Sequence, residues 1–290
     1  MNFNTSPKVS IIIPTYYRYE VLYNLLDQLS MQTMPPFEVL IIDQTPKQDR
    51  KDNFVSLYKD KLPIVYFVFN EPSLSKPRNY AAEKSNGDIL IFCDDDIVIK
   101  NDFIESHISV MLKENVDVVN GATTLKDKLP ESYPWDIALM DPVRYFLAAP
   151  NCQWSGMMLS ISSCNVSMKK NIFIKSGGFD EKIPRMVDFE LGFRLFKMGA
   201  KIHFSDKPAV KHLRASGGSR KTPHKHNKLV AQLYIHRKHF PGWITTQYII
   251  KCIFGPIFEK WTIKTLPRIL IHLINFLKAN KELKRLLPHK

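Results

Sequence analysis

Three successive aspartates, Asp94 to Asp96, follow the stretch DILIFC (88–93), which has the composition of a buried β-strand. Adjacent carboxylates repel one another and raise one another's pKa unless a cation lies between them. Mg²⁺ and Mn²⁺ prefer oxygen ligands and commonly bridge protein carboxylates to substrate phosphates. The triplet therefore predicts a divalent metal site. The alternative is a solvated turn at the end of a strand.

The elements that must position this triplet alternate between strands and helices. Buried β-branched runs predict strands over 9–14, 37–43, 62–69 and 88–94. Apolar residues at helical spacing predict a helix over 20–31, and Pro77 marks the start of a helix predicted over 75–85. Such alternation is typical of a parallel, doubly wound α/β sheet. In these sheets the ligand crevice lies at the carboxyl ends of the strands.

Polar residues follow each of the four predicted strands. They are, in strand order, Pro14 and Thr15, Asp43, Asn70 and Glu71, and the triplet Asp94 to Asp96. Because all four strand ends meet at one edge of the sheet, we expect these residues to form one site. The sequence has no GxxxxGK[ST] and no GxGxxG after the first strand, which disfavours P-loop and dinucleotide-binding proteins. Of the nucleotide-binding modes considered, a diphosphate held through a metal ion remains possible.

The second half of the chain is predicted to continue the fold. A helix is expected over 101–114 and a strand over 116–123, followed by a glycine-rich turn at 176–181. An amphipathic helix over 188–199 ends at Gly199, and a short strand follows over 200–206.

Six motifs occur in the order and spacing of a known family. They are VSIIIPTYYR, VLIIDQT, NEPSLSKPRNYAAEKSNGDILIFCDDD, GGFDE, DFELGFRL and VKH. Over about residues 7–215 the chain resembles the family 2 inverting glycosyltransferases of the GT-A fold. The resemblance implies an α/β fold with a mostly parallel sheet flanked by helices, a nucleotide-sugar donor, and Mn²⁺ or Mg²⁺ as cofactor.

The resemblance also implies roles for individual residues. Those expected to bind the nucleotide sugar are Pro14, Thr15, Asp43, Arg78, Asp94 and Asp95, with Asp43 hydrogen-bonded to the base. Asp96 and His212 would hold the metal, and a neutral imidazole suits Mn²⁺. Asp188 would be the general base that takes the proton of the acceptor hydroxyl. Its alternative is a helix N-terminal carboxylate favoured by the helix dipole.

The chain departs from the family pattern in two places. The family usually opens the base helix with Glu-Asp, and Val187-Asp188 stands here, so the carboxylate that would orient the acceptor is absent. After the second strand the chain has DQTP, where a second Asp followed by Gly-Ser is commoner. This second departure weakens the inference about which base the protein recognises.

The net charge of +13 lies wholly in the last quarter of the chain. Residues 1–218 carry equal numbers of acidic and basic residues, whereas 219–290 carry fifteen Lys and Arg against two Glu. We predict a GT-A catalytic domain over 1–218, with a nucleotide-binding half to about residue 100 and an acceptor half from 101 to 218. A basic, amphipathic helical region follows over 219–290.

The basic region favours contact with an anionic membrane surface. In 266–287 apolar residues recur on one helical stripe and lysines gather toward the end, which suits a helix lying in the membrane interface. The alternative is a helix packed on the catalytic domain. A nucleic-acid partner is less favoured because the sequence contains neither a zinc finger nor a base-stacking motif.

The sequence predicts a metal-dependent inverting glycosyltransferase that acts on a glycan or lipid-linked acceptor, with a UDP-sugar as the expected donor. Four scattered cysteines and the lack of a signal or spanning segment favour a cytoplasmic protein, peripheral on the inner face of the cell membrane. Bacterial surface polysaccharide or glycolipid synthesis fits that placement. The alternatives are a nucleotidyltransferase and a non-catalytic glycan- or lipid-binding protein on a transferase fold.

Overall fold

The computed structural model describes residues 7–125, 155–157, 161–216 and 227–259, together with 277, 278 and 281. Its strands are β1 (Val9–Thr15), β2 (Glu38–Asp43), β3 (Ile64–Val68), β4 (Ile89–Cys93), β5 (Ile97–Val98), β6 (Val118–Thr124), β7 (Ser155–Met157), β8 (Asn165–Lys169) and β9 (Ile202–His212). Its α-helices are α1 (Tyr19–Ser30), α2 (Phe54–Leu57), α3 (Lys76–Lys84), α4 (Phe103–Lys113), α5 (Lys170–Ser176), α6 (Val187–Lys197), α7 (Asn227–His239) and α8 (Gly242–Glu259).

The strands form one mixed sheet in the order β3-β2-β1-β4-β8-β6-β9-β5, with β7 paired to β9. The half built from β3, β2, β1 and β4 is parallel, as the alternation of strands and helices predicted. In the second half, β8 runs antiparallel to both β4 and β6, while β6 and β9 are parallel. The sheet is therefore parallel where β1 to β4 end and mixed beyond them.

Strand register places the predicted site at one edge of this sheet. Thr15 of β1 lies beside Asp43 of β2, and β4 ends at Cys93, directly before the aspartate triplet. The strand expected over 200–206 extends to His212, because its last residues pair with the short strand β5. His212 lies opposite Ile97 in that pairing, which brings the imidazole next to the triplet.

The core lies on both faces of the sheet, since successive strand residues point to opposite faces. On β1, Ile11 and Ile13 face a cluster that includes residues of α1, α2 and α4. Ile12 faces a second cluster that includes residues of α3, α5, α6, α7 and α8. Three layers result, and the sheet edge that carries the polar residues stays open between the two helical layers.

The helices α7 and α8 belong to this same core. Val230, Leu233 and Ile235 of α7 are fully buried against it, and Tyr248 of α8 is 4% exposed. The helices α7 and α8 of the basic C-terminal region thus share one core cluster with β1, β4 and α6. The helix expected over 266–287 lies almost wholly outside the described residues. Within the described part, no helix is both long and apolar enough to cross a membrane.

Candidate active site

A cavity of about 240 Å³ opens at the carboxyl ends of β1, β2 and β4. The residues that line it are Pro14, Thr15, Tyr16, Arg18, Gln44, Pro72, Ser73, Leu74, Arg78, Asp94, Ser163, Arg185, Met186, Val187 and Asp188. The structure thus brings Pro14, Thr15, Arg78, Asp94 and Asp188 to one cavity, as the sequence predicted. Asp95, Asp96 and His212 do not line the cavity, but each contacts a residue that does: Asp95 and Asp96 contact Arg18, and His212 contacts Asp94.

Two arginines form ion pairs with the aspartate triplet. The guanidinium group of Arg18 forms an ion pair with both carboxylate oxygens of Asp95 and donates to Asp96 Oδ2 at 2.9 Å. Arg78 donates to Asp94 Oδ1 at 2.6 Å. Arg18 was not among the predicted site residues. Its position between β1 and α1 could have suggested it, because that turn opens onto the same edge of the sheet.

Asp94, Asp96 and His212 form a cluster whose chemistry fits a divalent metal. One ligand atom from each lies within 4.8 Å of the others. His212 Nε2 lies 3.1 Å from Asp96 Oδ1 and 3.5 Å from Asp94 Oδ2, so the imidazole faces two carboxylates. Two carboxylate oxygens and an imidazole nitrogen make a donor set that suits Mn²⁺.

The pKa values of this cluster reflect the same contacts. Hydrogen bonds to Asp94 and Asp96 raise the pKa of His212 to about 9. Burial works against ionisation of Asp94, yet His212 and Arg78 hold its pKa at about 2. Burial raises the pKa of Asp95 to about 7, since Arg18 and the Thr15 hydroxyl, which donates at 2.7 Å, offset only part of it.

Arg78 is positioned by the first turn of α3 and is 5% exposed. Its Nη1 donates to the Leu74 carbonyl at 2.7 Å and its Nη2 to Asp94, whereas the buried Nε has no acceptor in the described part of the chain. A buried donor without an acceptor is costly. Arg78 also lines the cavity, where its guanidinium group can pair with an anionic ligand.

Asp188 lies in the first turn of α6 and faces the cavity beside Ser163. Burial raises the pKa of Asp188 above its ordinary value, although Arg78 and hydrogen bonds from Ser163 lower it. Its Oδ1 is buried and has no hydrogen-bond partner among the described residues. The Asp188 carboxyl group, whose basicity is raised, therefore lies in the wall of the space where a second substrate could enter.

Two residues beside the cavity have left-handed backbone conformations, which are costly for side chains other than glycine. Tyr17, between the lining residues Tyr16 and Arg18, has φ 61°, and Met186, which precedes α6, has φ 62°. Such strain gathers at functional sites, where the surrounding structure holds it in place. Here Tyr17 directly precedes Arg18 and Met186 stands two positions before Asp188, and both Arg18 and Asp188 line the cavity.

Asp43 is at the edge of the sheet, as predicted, but its side chain does not line the cavity. Its Oδ2 accepts hydrogen bonds from the hydroxyls of Tyr19 and Tyr66 at 2.7 and 2.9 Å, and its Oδ1 accepts one from the Thr45 amide at 2.8 Å. The next residue, Gln44, lines the cavity instead. Strand alternation explains the difference, because neighbouring residues at the end of β2 point to opposite faces.

Comparison with solved structures defines the class of fold. The structure resembles Staphylococcus aureus TarS, residues 1–349 in complex with UDP-GlcNAc, with a TM-score of 0.64 and 18% identity over 94% of this chain and 81% of that one. It also resembles GalNAc-T7 with UDP, GalNAc and Mn²⁺, with a TM-score of 0.67 and 13% identity over 92% of this chain and 55% of that one. The fold is the GT-A fold of glycosyltransferases.

The family model described as glycosyl transferase family 2 matches residues 10–177, which is more than half of the chain. The chain belongs to glycosyl transferase family 2, and the resemblance drawn from the sequence motifs is confirmed.

Curated relatives have names from glycan assembly. O-antigen biosynthesis protein RfbC of Myxococcus xanthus is 28% identical over 219 residues, which is 68% of this chain and 16% of that protein. The poly(ribitol-phosphate) beta-N-acetylglucosaminyltransferase TarS of Staphylococcus aureus is 29% identical over 152 residues, which is 49% of this chain and 26% of TarS. The match thus spans about a quarter or less of either relative.

Proposed function

We propose that this chain is a metal-dependent inverting glycosyltransferase that moves a sugar from a nucleotide sugar to a hydroxyl of a glycan or lipid-linked acceptor. One observation carries the proposal. Asp188, with a buried and unpartnered carboxylate oxygen, shares a cavity with Asp94 of the cluster Asp94, Asp96 and His212. A base and a metal-ligand set at one cavity are the two parts that single-displacement transfer needs.

The donor diphosphate would lie near the arginines that line this cavity, Arg18, Arg78 and Arg185. Asp94, Asp96 and His212 would hold the ion, which neutralises the charge that develops on the leaving nucleoside diphosphate. Arg78 lines the cavity and would donate to a phosphate oxygen, because a guanidinium group binds such oxygens through charge-assisted hydrogen bonds. Thr15 and Arg18 hold Asp95 in place behind these groups.

Asp188 would act on the acceptor. Its carboxylate would take the proton of the attacking hydroxyl as the sugar leaves the diphosphate. Because one base and one displacement suffice, the configuration at the transferred sugar carbon inverts. The buried environment of Asp188 supports this role, since it raises the affinity of the carboxylate for a proton.

The relatives support a UDP-linked donor and a role in surface glycan synthesis. One structural neighbour was solved with UDP-GlcNAc and another with UDP, GalNAc and Mn²⁺, and the curated relatives include an O-antigen biosynthesis protein and a poly(ribitol-phosphate) glycosyltransferase. We therefore propose a UDP-sugar as donor. The proposed pathway is synthesis of a bacterial surface polysaccharide or glycolipid.

A cytoplasmic location at the inner membrane face is the proposed setting. Residues 219–290 carry the whole net charge of +13, and α8 exposes Trp243 and Ile250, which are 63% and 47% accessible and lie two helical turns apart. Exposed aromatic and aliphatic side chains near many basic residues suit an anionic lipid surface. Removing residues 243–290 should abolish salt-sensitive binding to anionic vesicles, and equal binding by the truncated chain would contradict this placement.

The transferase site is tested by calorimetric titration of UDP, GDP, CDP and ADP, each with and without Mn²⁺. We expect metal-dependent binding of one nucleotide and loss of that binding in Asp96→Ala. Asp60→Ala is the matched control, since Asp60 is exposed and does not line the cavity. Failure of the wild-type protein to bind any of the four would overturn the proposed donor site.

A further inference from the structure

The end of β2 presents two polar residues to two different environments. Asp43 is fully buried, and both of its carboxylate oxygens accept hydrogen bonds from Tyr19, Tyr66 and the Thr45 amide. Its acceptor capacity is thus largely used on the face of the sheet away from the cavity. A nucleotide base that enters the cavity does not meet this carboxylate.

Gln44 meets the cavity instead, and its orientation is fixed by one hydrogen bond. Its Oε1 accepts from the Ser73 amide at 2.7 Å, and its own backbone amide donates to the Thr15 carbonyl at 2.9 Å. Only the oxygen of the Gln44 side-chain amide can accept a hydrogen bond from a backbone N–H. The Ser73 contact therefore fixes the position of this oxygen, and the NH₂ group occupies the opposite position of the amide. That NH₂ has no acceptor among the described residues.

The wall around Gln44 has the shape and chemistry of a base-binding pocket. Tyr16, Pro72 and Leu74 line the cavity beside Gln44 and supply apolar surface for a planar ring. Gln44 itself is 7% exposed, so a hydrogen bond made there would be shielded from water. Ligand pockets of this kind combine apolar walls with a few fixed polar groups that set specificity.

We infer that Gln44 is a specificity-determining residue that presents amide N–H donors to an acceptor atom on the edge of the donor's base. This inference rests on the proposed function. A carboxylate at this position would select a base N–H, whereas the Gln44 amide selects a carbonyl oxygen or an unprotonated ring nitrogen. For a UDP-linked donor the partner is a carbonyl oxygen of uracil.

The test removes the N–H donors of the Gln44 side chain and keeps the size and shape of that side chain. Gln44→Glu retains an oxygen for the Ser73 amide but turns a carboxylate oxygen toward the base acceptor. We titrate the preferred nucleoside diphosphate with Mn²⁺ and measure its binding by calorimetry. Gln44→Glu should bind it about tenfold more weakly than the wild-type protein, because the variant loses a hydrogen bond and also leaves an acceptor on the base unpaired. Inorganic pyrophosphate with Mn²⁺ should bind equally to both proteins, since it has no base.

Gln48→Glu is the matched control, because Gln48 is exposed four residues later and does not line the cavity. Thermal unfolding of each variant confirms that it folds. Unchanged nucleotide affinity in Gln44→Glu would overturn the inference, and so would equal weakening of pyrophosphate or an equal loss in Gln48→Glu. If the wild-type protein binds pyrophosphate with Mn²⁺ but no nucleotide, the base pocket is wrong; if it binds neither, the proposed function itself is wrong.

Discussion

Arg18 contacts both carboxylate oxygens of Asp95, a residue 77 positions later in the chain. The same guanidinium group reaches Asp96, so one cation from the β1–α1 turn spans two of the three adjacent carboxylates. Arg78 and His212 face the remaining oxygens of Asp94 and Asp96. Three adjacent carboxyl groups are tolerated at the end of β4 because Arg18, Arg78 and His212, from separate parts of the chain, surround them.

Removing Arg18 should destabilise the fold. Asp95 is fully buried and the Arg18 side chain is 13% exposed, so Arg18→Ala leaves a buried carboxylate without its main partner. We expect the free energy of unfolding to fall by about 3 kcal/mol at pH 7, the scale seen when one partner of a buried pair is removed. Urea denaturation measures the loss. Arg18→Lys keeps the charge and should lose less stability than Arg18→Ala. Equal losses of stability in the two variants would mean that Arg18 acts through packing rather than through its charge.

Asp188→Asn should separate binding from catalysis. The amide keeps the size of the side chain but cannot accept the proton of a sugar hydroxyl, so we expect transfer to fall by at least about 10²-fold with donor affinity unchanged. Rates with a labelled donor and calorimetry with the nucleoside diphosphate measure the two quantities. Asp60→Asn, at an exposed site, is the control. Retained turnover in Asp188→Asn would exclude Asp188 as the base.

The histidine His107 should make the protein less stable at mildly acidic pH. Burial lowers its pKa to about 4, and its Nε2 lies 2.9 Å from Asn165 Oδ1 in the core. The unfolded chain binds a proton near pH 6.5 and the folded chain does not, so stability falls as the pH drops from 6.5 toward 4. The contribution of His107 between pH 7 and pH 5 is about 2 kcal/mol.

The measurement is urea denaturation at pH 7 and at pH 5 for the wild-type protein and for His107→Gln. The variant should lose about 2 kcal/mol less stability than the wild type over this interval, because glutamine does not titrate. His236, also buried with a lowered pKa, keeps its own contribution in both proteins. If the free energy of unfolding depends on pH in the same way in the two proteins, protonation of His107 does not destabilise the folded state, and the prediction is wrong.

The first half of the fold could be predicted because its signals are local. The runs that became β1, β2 and β4 are β-branched and uniformly buried, and their carboxyl ends carry the polar residues. In contrast, β8 and α5 were not predicted. The strand NVSMK (165–169) mixes polar and apolar residues, since Asn165 and Ser167 are buried by pairing between β4 and β6 rather than by hydrophobicity.

The sequence predicted where the backbone places the candidate site, at the strand ends, but not which side chains point into it. The end of the second strand located Asp43, but the next residue, Gln44, which was not predicted, lines the cavity, because the face that each side chain takes decides which one meets it. Arg18 was missed for a similar reason, because its partner Asp95 lies 77 residues away. Long-range ion pairs leave no periodicity in a sequence. The His212 position was found by the resemblance, and its geometry follows from the β5–β9 pairing.

Glu190 couples the helix that carries Asp188 to the C-terminal helix α7. It is fully buried on α6, and its carboxylate accepts hydrogen bonds from Arg194 at 2.7 to 2.9 Å and from Lys238 and His239 of α7 at 2.8 Å. Burial opposes ionisation, yet these donors hold the pKa of Glu190 at about 2. The pair of helices is thus fixed by a charge cluster two residues beyond Asp188.

Replacing Glu190 by glutamine should therefore loosen α7 from α6. We expect Glu190→Gln to lower the free energy of unfolding by about 3 kcal/mol at pH 7, because Arg194 and Lys238 lose their shared buried anion. A depressed carboxylate pKa stabilises the fold above the unfolded pKa near 4.5 and ceases to do so as the pH falls through about 2. The difference between the two proteins in urea should accordingly shrink between pH 5 and pH 2. Glu181→Gln, on an exposed turn, should show neither effect, and a constant difference across this range would mean that Glu190 acts through packing rather than charge.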